Sequence, residues 1–205
     1  RMPGAAEDYV PGYEKELSEV MRMRLRELVG EEKARVKRDK IVIRLRMMLE
    51  HKRDGRKKGR LLLQGFREPF AWDRGQTDSP VANLSTVRST VLSDEKCKVT
   101  GGVKRLSSAD MSKAFLKADN FDAGDHERFV YLREHKLAEQ RIFQLLGPLY
   151  GQRSASRRWH KTIARWLTDE GYVQGRNDPC VFYKPDVDHL VILWVDDVLS
   201  HGVDA

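Results

Sequence analysis

The sequence predicts an α/β protein, an antiparallel sheet backed by helices, and three observations carry that prediction. Apolar runs bounded by turn residues come in pairs: 41–49 with 59–66, 128–132 with 141–146, and 180–184 with 189–195. Two other stretches, 14–29 and 155–170, repeat their apolar residues at the helical interval. With 40% hydrophobic residues, a 205-residue chain can bury a core spread over one or two domains.

Residues 1–13, with Pro3, Gly4, Pro11 and Gly12, read as an irregular leader. Leu17, Val20, Met21, Leu25 and Leu28 then mark an amphipathic helix over 14–29, with Gly30 as its stop. The charged residues 31–40 either prolong a helix or act as a linker. The 41–49 and 59–66 runs flank Lys52-Arg53-Asp54-Gly55-Arg56, and Asp-Gly supplies the positive dihedrals of a tight turn, so a β-hairpin with a basic tip is expected. Pro69, Gly75 and Pro80 make 68–80 loop-like, and Ser85 is placed to cap a short helix running toward Ser93.

A strand over 103–109 enters Asp110, and a helix starts over 112–118. Over 155–170, Trp159, Ile163, Trp166 and Leu167 share one helical face, and Gly171 closes the helix. The final run, Leu190 to Val195, is apolar at every position, as a strand buried on both faces would be.

Charge is uneven. Residues 21–60 hold 16 Lys/Arg against 6 Asp/Glu, a local +10 in a chain whose net charge is +7. Such a basic segment suits a polyanion, nucleic acid first and an anionic membrane face second, or else a solvated surface. Cys97 and Cys180 are too few for a disulfide framework or a Cys-rich zinc site, which points to a reducing compartment. The longest apolar run, 190–195, falls far short of a bilayer span, and the N-terminus lacks a signal-peptide layout, so no membrane association is expected. Starting at Arg1 and ending soon after an apolar strand, the chain reads as an excerpt of a longer protein.

Asp196 and Asp197 follow that apolar run directly, and Asp110 likewise follows a strand. Adjacent carboxylates repel, and either a bound cation or a solvated turn must satisfy them. Two divalent ions about 3.5–4 Å apart would make such a set competent for in-line phosphoryl displacement.

Six blocks in order give the sequence a family resemblance. Lys58-Gly59-Arg60-Leu61-Leu62-Leu63-Gln64-Gly65-Phe66, Ser79-Pro80-Val81-Ala82 with Thr86-Val87-Arg88, and Asp110-Met111-Ser112-Lys113-Ala114-Phe115-Leu116 are the first three. Leu149-Tyr150-Gly151 with Arg157-Arg158-Trp159, Gly171-Tyr172 with Asp178-Pro179-Cys180-Val181-Phe182, and Trp194-Val195-Asp196-Asp197 complete them. Together, from about residue 41 onward, they resemble the reverse transcriptases of copia-type LTR retrotransposons.

The resemblance implies a right-hand polymerase fragment without a thumb. A leader, helix and linker would occupy 1–40, fingers about 41–102 with a basic hairpin, and palm about 103–205. It implies an RNA-directed DNA polymerase using two Mg2+ ions, with Mn2+ as the alternative. Asp110 and Asp196 would bind metal, with Asp197 beside them and the Met111 carbonyl as a further oxygen ligand. Phe115 matches a steric gate against a ribose 2′-hydroxyl. Lys58 or Arg60 would meet the triphosphate, and Tyr150-Gly151 would lie under the nascent base pair. Implied partners are an RNA or DNA template-primer, deoxynucleotides and the rest of a polyprotein with thumb, ribonuclease H and integrase. The implied location is intracellular: cytoplasm, virus-like particles or nucleus.

Departures from the family pattern are Trp194 in place of Tyr, and Ser154 and Ser156 in place of Gln and Pro. They motivate an alternative, an inactive truncated remnant that binds nucleic acid without polymerising. A third reading, an interaction module built on the 14–29 helix, has only its apolar stripe behind it. Asp119, Asp122 and Asp125 lack calcium-loop spacing, with Val130 at the twelfth position. His160 reads as a surface or packing residue, Met21, Met23, Met47 and Met48 as core filler, and Trp159 and Trp166 as core.

Overall fold

The computed structural model describes residues 10–51, 53–55, 57–73, 77–93, 96–132 and 140–203. Most of the predicted leader, the hairpin-tip residues Lys52 and Arg56, and Gly75 lie outside that set. In chain order come α1 (Val10–Arg24), β1 (Leu25–Glu27), α2 (Gly30–Asp39), β2 (Val42–His51) and β3 (Lys57–Leu63). Then follow α3 (Leu84–Val91), β4 (Arg105–Asp110), α4 (Ala114–Lys117), β5 (Arg128–Leu132) and β6 (Arg141–Leu145). The chain ends with α5 (Ala155–Asp169), β7 (Val173–Gln174), β8 (Val181–Lys184), β9 (His189–Trp194) and β10 (Asp197–Gly202). The class is mixed α/β, and contacts divide it into two units, Arg1–Thr77 with Asp119–Ala155 and Asp78–Ala118 with Ser156–Ala205.

The first unit is built on a sheet of order β1-β6-β5-β2-β3. Its two predicted hairpins, β2–β3 and β5–β6, are antiparallel, but a parallel seam between β2 and β5 joins them. Along β2 and β3 the period-two alternation buries Ile43, Leu45, Leu61 and Leu63 and leaves Arg44 and Arg46 exposed. The edge strand β3 is covered: Leu61 N–H donates to the Glu16 carboxylate of α1 at 3.2 Å, and Leu63 N–H to the Tyr150 carbonyl at 2.8 Å. Gly59 fits beneath α1 because a Cβ there would sit 2.9 Å from the Gly12 carbonyl.

The helix expected over 14–29 is displaced: α1 starts at Val10 and ends at Arg24. Leu25, Arg26 and Glu27 instead pair with Leu145, Gln144 and Phe143 of β6, and Leu28 N–H donates to the Ile142 carbonyl at 2.9 Å. Sheet pairing with β6 outweighs the high helix propensity of Leu25, Arg26 and Glu27. Gly30, at φ +54°, opens α2 rather than stopping α1, and residues 31–39 are helical. Val36 of α2 packs with Leu28, Phe129 and Ile142. The methionines expected as core, Met21, Met23, Met47 and Met48, are half-buried.

An ion cluster lies in this unit. Arg128, 1% exposed, donates to Asp73 at 2.7 Å and Glu68 at 3.4 Å and stacks over the ring of Phe121 at 4.4 Å. Burial pushes the Glu68 carboxyl up, while the Arg153 N–H and the Arg128 charge pull it down. Glu68 thereby links β5 to the backbone just past Tyr150-Gly151, since Arg153 N–H donates to it at 3.2 Å.

The second unit carries an all-antiparallel sheet of order β4-β10-β9-β8-β7. Trp159, Ile163 and Leu167 of α5 pack in one core with Phe182, Val191, Ile192 and Leu193. Trp166, expected beside them, sits at the edge of the apolar stripe and is 57% exposed. Gly171, at φ +88°, ends α5: its N–H donates to the Thr168 carbonyl and Tyr172 N–H to the Leu167 carbonyl, a Schellman closure. The cap of α3 is Asn83 rather than Ser85, with Ser85 N–H donating to the Asn83 side chain at 3.1 Å. β9 is buried only at Val191, Ile192 and Leu193, and Trp194 is 43% exposed, so it is not sealed along its whole length. Cys97 and Cys180 are both free and buried. His160 is half-buried, its Nε2–H donating to the Pro179 carbonyl at 3.1 Å.

The β8–β9 turn is fastened by Asp188, which holds φ +50° and accepts from Lys104 Nζ at 2.8 Å, Lys98 N–H at 2.7 Å and Tyr183 Oη–H at 3.1 Å. The Lys104 ammonium and the Lys98 N–H hold its carboxyl down at about 2. A depressed carboxylate stabilises the fold above its ordinary value of 3.8 and loses that contribution as pH falls toward 2. Asp188→Asn should cost about 3 kcal/mol at neutral pH. In urea titrations at successive pH values, the difference between parent and variant should shrink as pH falls from 4 to 2; a constant difference would refute the assignment.

Candidate functional site

The site begins with strand register. β10 runs antiparallel to β4 so that Asp197 lies opposite Asp110, and the β9–β10 hairpin closes with Asp197 opposite Trp194. Directly opposed residues of an antiparallel pair present side chains on one face, so Asp110 and Asp197 are cross-strand neighbours. Val195 and Asp196 form the two-residue turn between β9 and β10. Met111 N–H donates to the Asp196 carbonyl at 2.7 Å, which ties the end of β4 to that turn. Asp110, Met111, Asp196 and Asp197 are therefore brought together within the second unit.

All three carboxylate residues are exposed. Exposure to water screens their mutual repulsion in this arrangement. Among the described residues no group of three or more His, Cys, Asp or Glu converges closely enough to hold a metal ion by itself. Hard carboxylate oxygens from two facing aspartates nonetheless match the ligand set Mg2+ takes, one or two carboxylates completed by waters and substrate phosphates. The Met111 carbonyl accepts from Ala114 N–H at 3.1 Å and retains a second lone pair.

Backbone strain flanks the cluster. Val195, at φ +57°, is β-branched and in the left-handed region, and Lys113, three residues beyond Asp110, is at φ +60°. Each such residue costs on the order of 1–3 kcal/mol and persists only where its surroundings hold it. Trp159, 4% exposed on α5, supplies one restraint, its Nε1–H donating to the Val195 carbonyl at 2.7 Å. Phe115, on α4, is half-buried against the core of the same unit.

The remaining candidates lie in the first unit. Lys58 and Arg60 share a face of β3, opposite Glu50 and Met48 of β2. Arg60 meets the Glu50 carboxylate at 3.4 Å, whereas Lys58 has no side-chain partner among the described residues. Tyr150-Gly151 is bound to the far end of that strand. Gly151 is at φ +80°, a Cβ on it would collide with the Leu63 carbonyl, and a Cβ on Gly65 would collide with the Gly151 carbonyl. The glycines of Gln64-Gly65-Phe66 and Tyr150-Gly151 are thus set by mutual backbone approach. Sequence reasoning missed the Glu68–Arg128–Asp73 cluster, whose one signal was a cation at an inward strand position, and the Trp159 bond, which its apolar spacing conceals.

Comparison with known proteins fixes the family. The sequence pattern of the family "Reverse transcriptase (RNA-dependent DNA polymerase)" matches residues 34–205, and the chain belongs to that family. It is 27% identical over 175 residues to the retrovirus-related Pol polyprotein from transposon TNT 1-94 of Nicotiana tabacum, covering 79% of this chain and 12% of the polyprotein. It is 25% identical over 201 residues to the transposon Ty1-OR Gag-Pol polyprotein of Saccharomyces cerevisiae, covering 97% and 11%. These relatives are copia-type, and the chain corresponds to their reverse transcriptase region while spanning only about a ninth to an eighth of their length. Telomerase from Candida albicans, solved with the TWJ fragment of telomeric RNA, aligns with TM-score 0.47 and 9% identity over 94% of this chain and 42% of that one. Among the described residues no helix is long and apolar enough to cross a membrane.

Like charges directly opposed across a strand pair destabilise it. Asp197→Asn should therefore raise stability in divalent-free buffer by about 0.5 kcal/mol. The urea midpoint of the chain in chelator checks this, and a lowered midpoint would contradict the opposed-charge geometry.

Proposed function

We propose that the chain is a fingers-and-palm polymerase region that extends a primer on an RNA or DNA template by two-metal nucleotidyl transfer. The observation that carries the proposal is the register setting Asp110 opposite Asp197, with Asp196 on the β9–β10 turn, in a chain of the reverse transcriptase family. The second unit, with its all-antiparallel sheet, corresponds in this reading to the palm, and the β2–β3 hairpin to the fingers.

Asp110, Asp196, Asp197 and the Met111 carbonyl would hold Mg2+ or Mn2+. Divalent ions bound there supply Lewis-acid stabilisation to the attacking and leaving oxygens of an in-line displacement. Among the chain's own groups, Lys58 is the better candidate for the incoming triphosphate, because Arg60 is engaged by Glu50. A cation there offsets charge accumulating on the phosphates. Phe115 would crowd a ribose 2′-hydroxyl and favour deoxynucleotides, and Tyr150-Gly151 would support the nascent base pair. Partners in this reading are a template-primer, deoxynucleotides and the remaining parts of a polyprotein.

Primer extension on a polyribonucleotide template with Mg2+ tests the reading. Incorporation is expected, with a loss of at least about a hundredfold in Asp110→Asn and in Asp196→Asn. Salt-sensitive nucleic-acid binding with no extension by the parent chain would reject it in favour of a non-polymerising remnant.

A smaller side chain at the gate should admit ribonucleotides. Phe115→Ala should lower discrimination against them about tenfold or more, measured as the ratio of kcat/KM values for the two sugars. Unchanged discrimination would remove Phe115 from the nucleotide site.

A further inference from the structure

Both peptide planes that flank Asp196 are held by groups from other elements. Met111 N–H, at the corner after β4, donates to the Asp196 carbonyl at 2.7 Å and fixes the plane on its C-terminal side. Trp159 Nε1–H, on α5, donates to the Val195 carbonyl at 2.7 Å and fixes the plane on its N-terminal side. With both planes fixed, φ and ψ of Asp196 are fixed, and so is the direction in which its Cα–Cβ bond leaves the turn.

The indole bond falls on the residue with the strained backbone. Val195 holds φ +57°, a conformation that a β-branched residue adopts only under restraint. The space among Ser79, Pro80, Trp159, Cys180, Leu193 and Val195 amounts to about 10 Å³, at the lower limit of what one water requires. Trp159 is itself 4% exposed and held in the core by Ile163, Leu167 and Leu193, so its donor is aimed by packing.

We infer that Trp159 is a positioning residue: its indole N–H sets the Val195–Asp196 peptide and thereby presents Asp196 to the cation and substrate bound beside Asp110. The inference deepens the metal-site reading above and rests on it for its functional consequence. The bulk of Trp159 serves the core, while its donor serves the turn, and the two roles separate experimentally.

The test uses the full chain with Trp159→Phe and, as a shape-conserving second variant, benzothienylalanine at position 159, which replaces the indole N–H by sulfur. In cation-free protein, the Val195 carbonyl carbon resonance should shift in both variants. Mn2+ affinity, read by electron paramagnetic resonance, should fall about tenfold, the lower end of what loss of a supporting hydrogen bond costs a metal site. A fluorotryptophan at 159, which keeps the N–H, should behave as the parent. Unmoved turn resonances in the benzothienylalanine variant would overturn the inference, and so would parental Mn2+ affinity in a variant whose turn has moved. A parent chain whose Mn2+ binding is indifferent to Asp110→Asn would reject the metal-site reading instead, leaving the resonances to decide whether Trp159 sets the turn.

Discussion

The pairing of β10 with β4 is the constraint on which the second unit depends. Six residue pairs, from Asp197 opposite Asp110 to Gly202 opposite Arg105, join segments remote in sequence and leave no freedom in which carboxylates meet. A slip of one residue would turn every side chain of β10 to the other face and separate Asp197 from Asp110. The core places β10 but not β4: Trp159, Ile163 and Leu167 of α5 pack with Phe182, Val191 and Leu193, and β9 carries β10 alongside. Every residue of β4 is exposed, and its register rests on the strand pairing and on the Met111 N–H bond to the Asp196 carbonyl. The exposed carboxylates contribute nothing to that core.

The first unit solves a different problem. Its sheet must join two hairpins through a parallel seam, and at its centre lies a guanidinium almost out of reach of water. Arg128 is tolerable there because Asp73, Glu68 and the Phe121 ring surround it. Such a cluster yields little net stability over an apolar equivalent. Its value is specificity of connection: Glu68 accepts from Arg128 on one oxygen and from the Arg153 N–H on the other, so the strand and the loop that follows Gly151 are referred to one carboxylate.

Where local pattern and tertiary pairing agree, the fold was legible before the structure. The hairpins β2–β3, β5–β6 and β8–β9, and α5 with its Gly171 stop, follow from period and turn chemistry alone. β10 did not, because Val198, Leu199, Ser200, His201 and Gly202 show no clear alternation and become a strand only by pairing with β9 on one side and β4 on the other. Leu25 and Leu28 continue a helical stripe yet belong to the sheet, since β6 offers an unpaired edge that the stripe cannot announce. Of the candidate site, Asp110, Asp196 and Asp197 were visible as carboxylates at strand ends. Their exposure was one of two alternatives, a solvated turn or a bound cation, because it depends on what fails to cover them. Trp159 was visible as apolar bulk, and its donor's partner, 36 residues further on, was not.

The interlocked glycines have a mechanical meaning. Gly65 and Gly151 approach so closely that neither tolerates a Cβ, and Leu63 N–H is hydrogen-bonded to the Tyr150 carbonyl between them. The end of β3 and the Tyr150-Gly151 segment are therefore spliced backbone to backbone. Any side chain at position 65 or 151 would have to part them, so the two glycines set the distance at which the Tyr150 segment lies along β3.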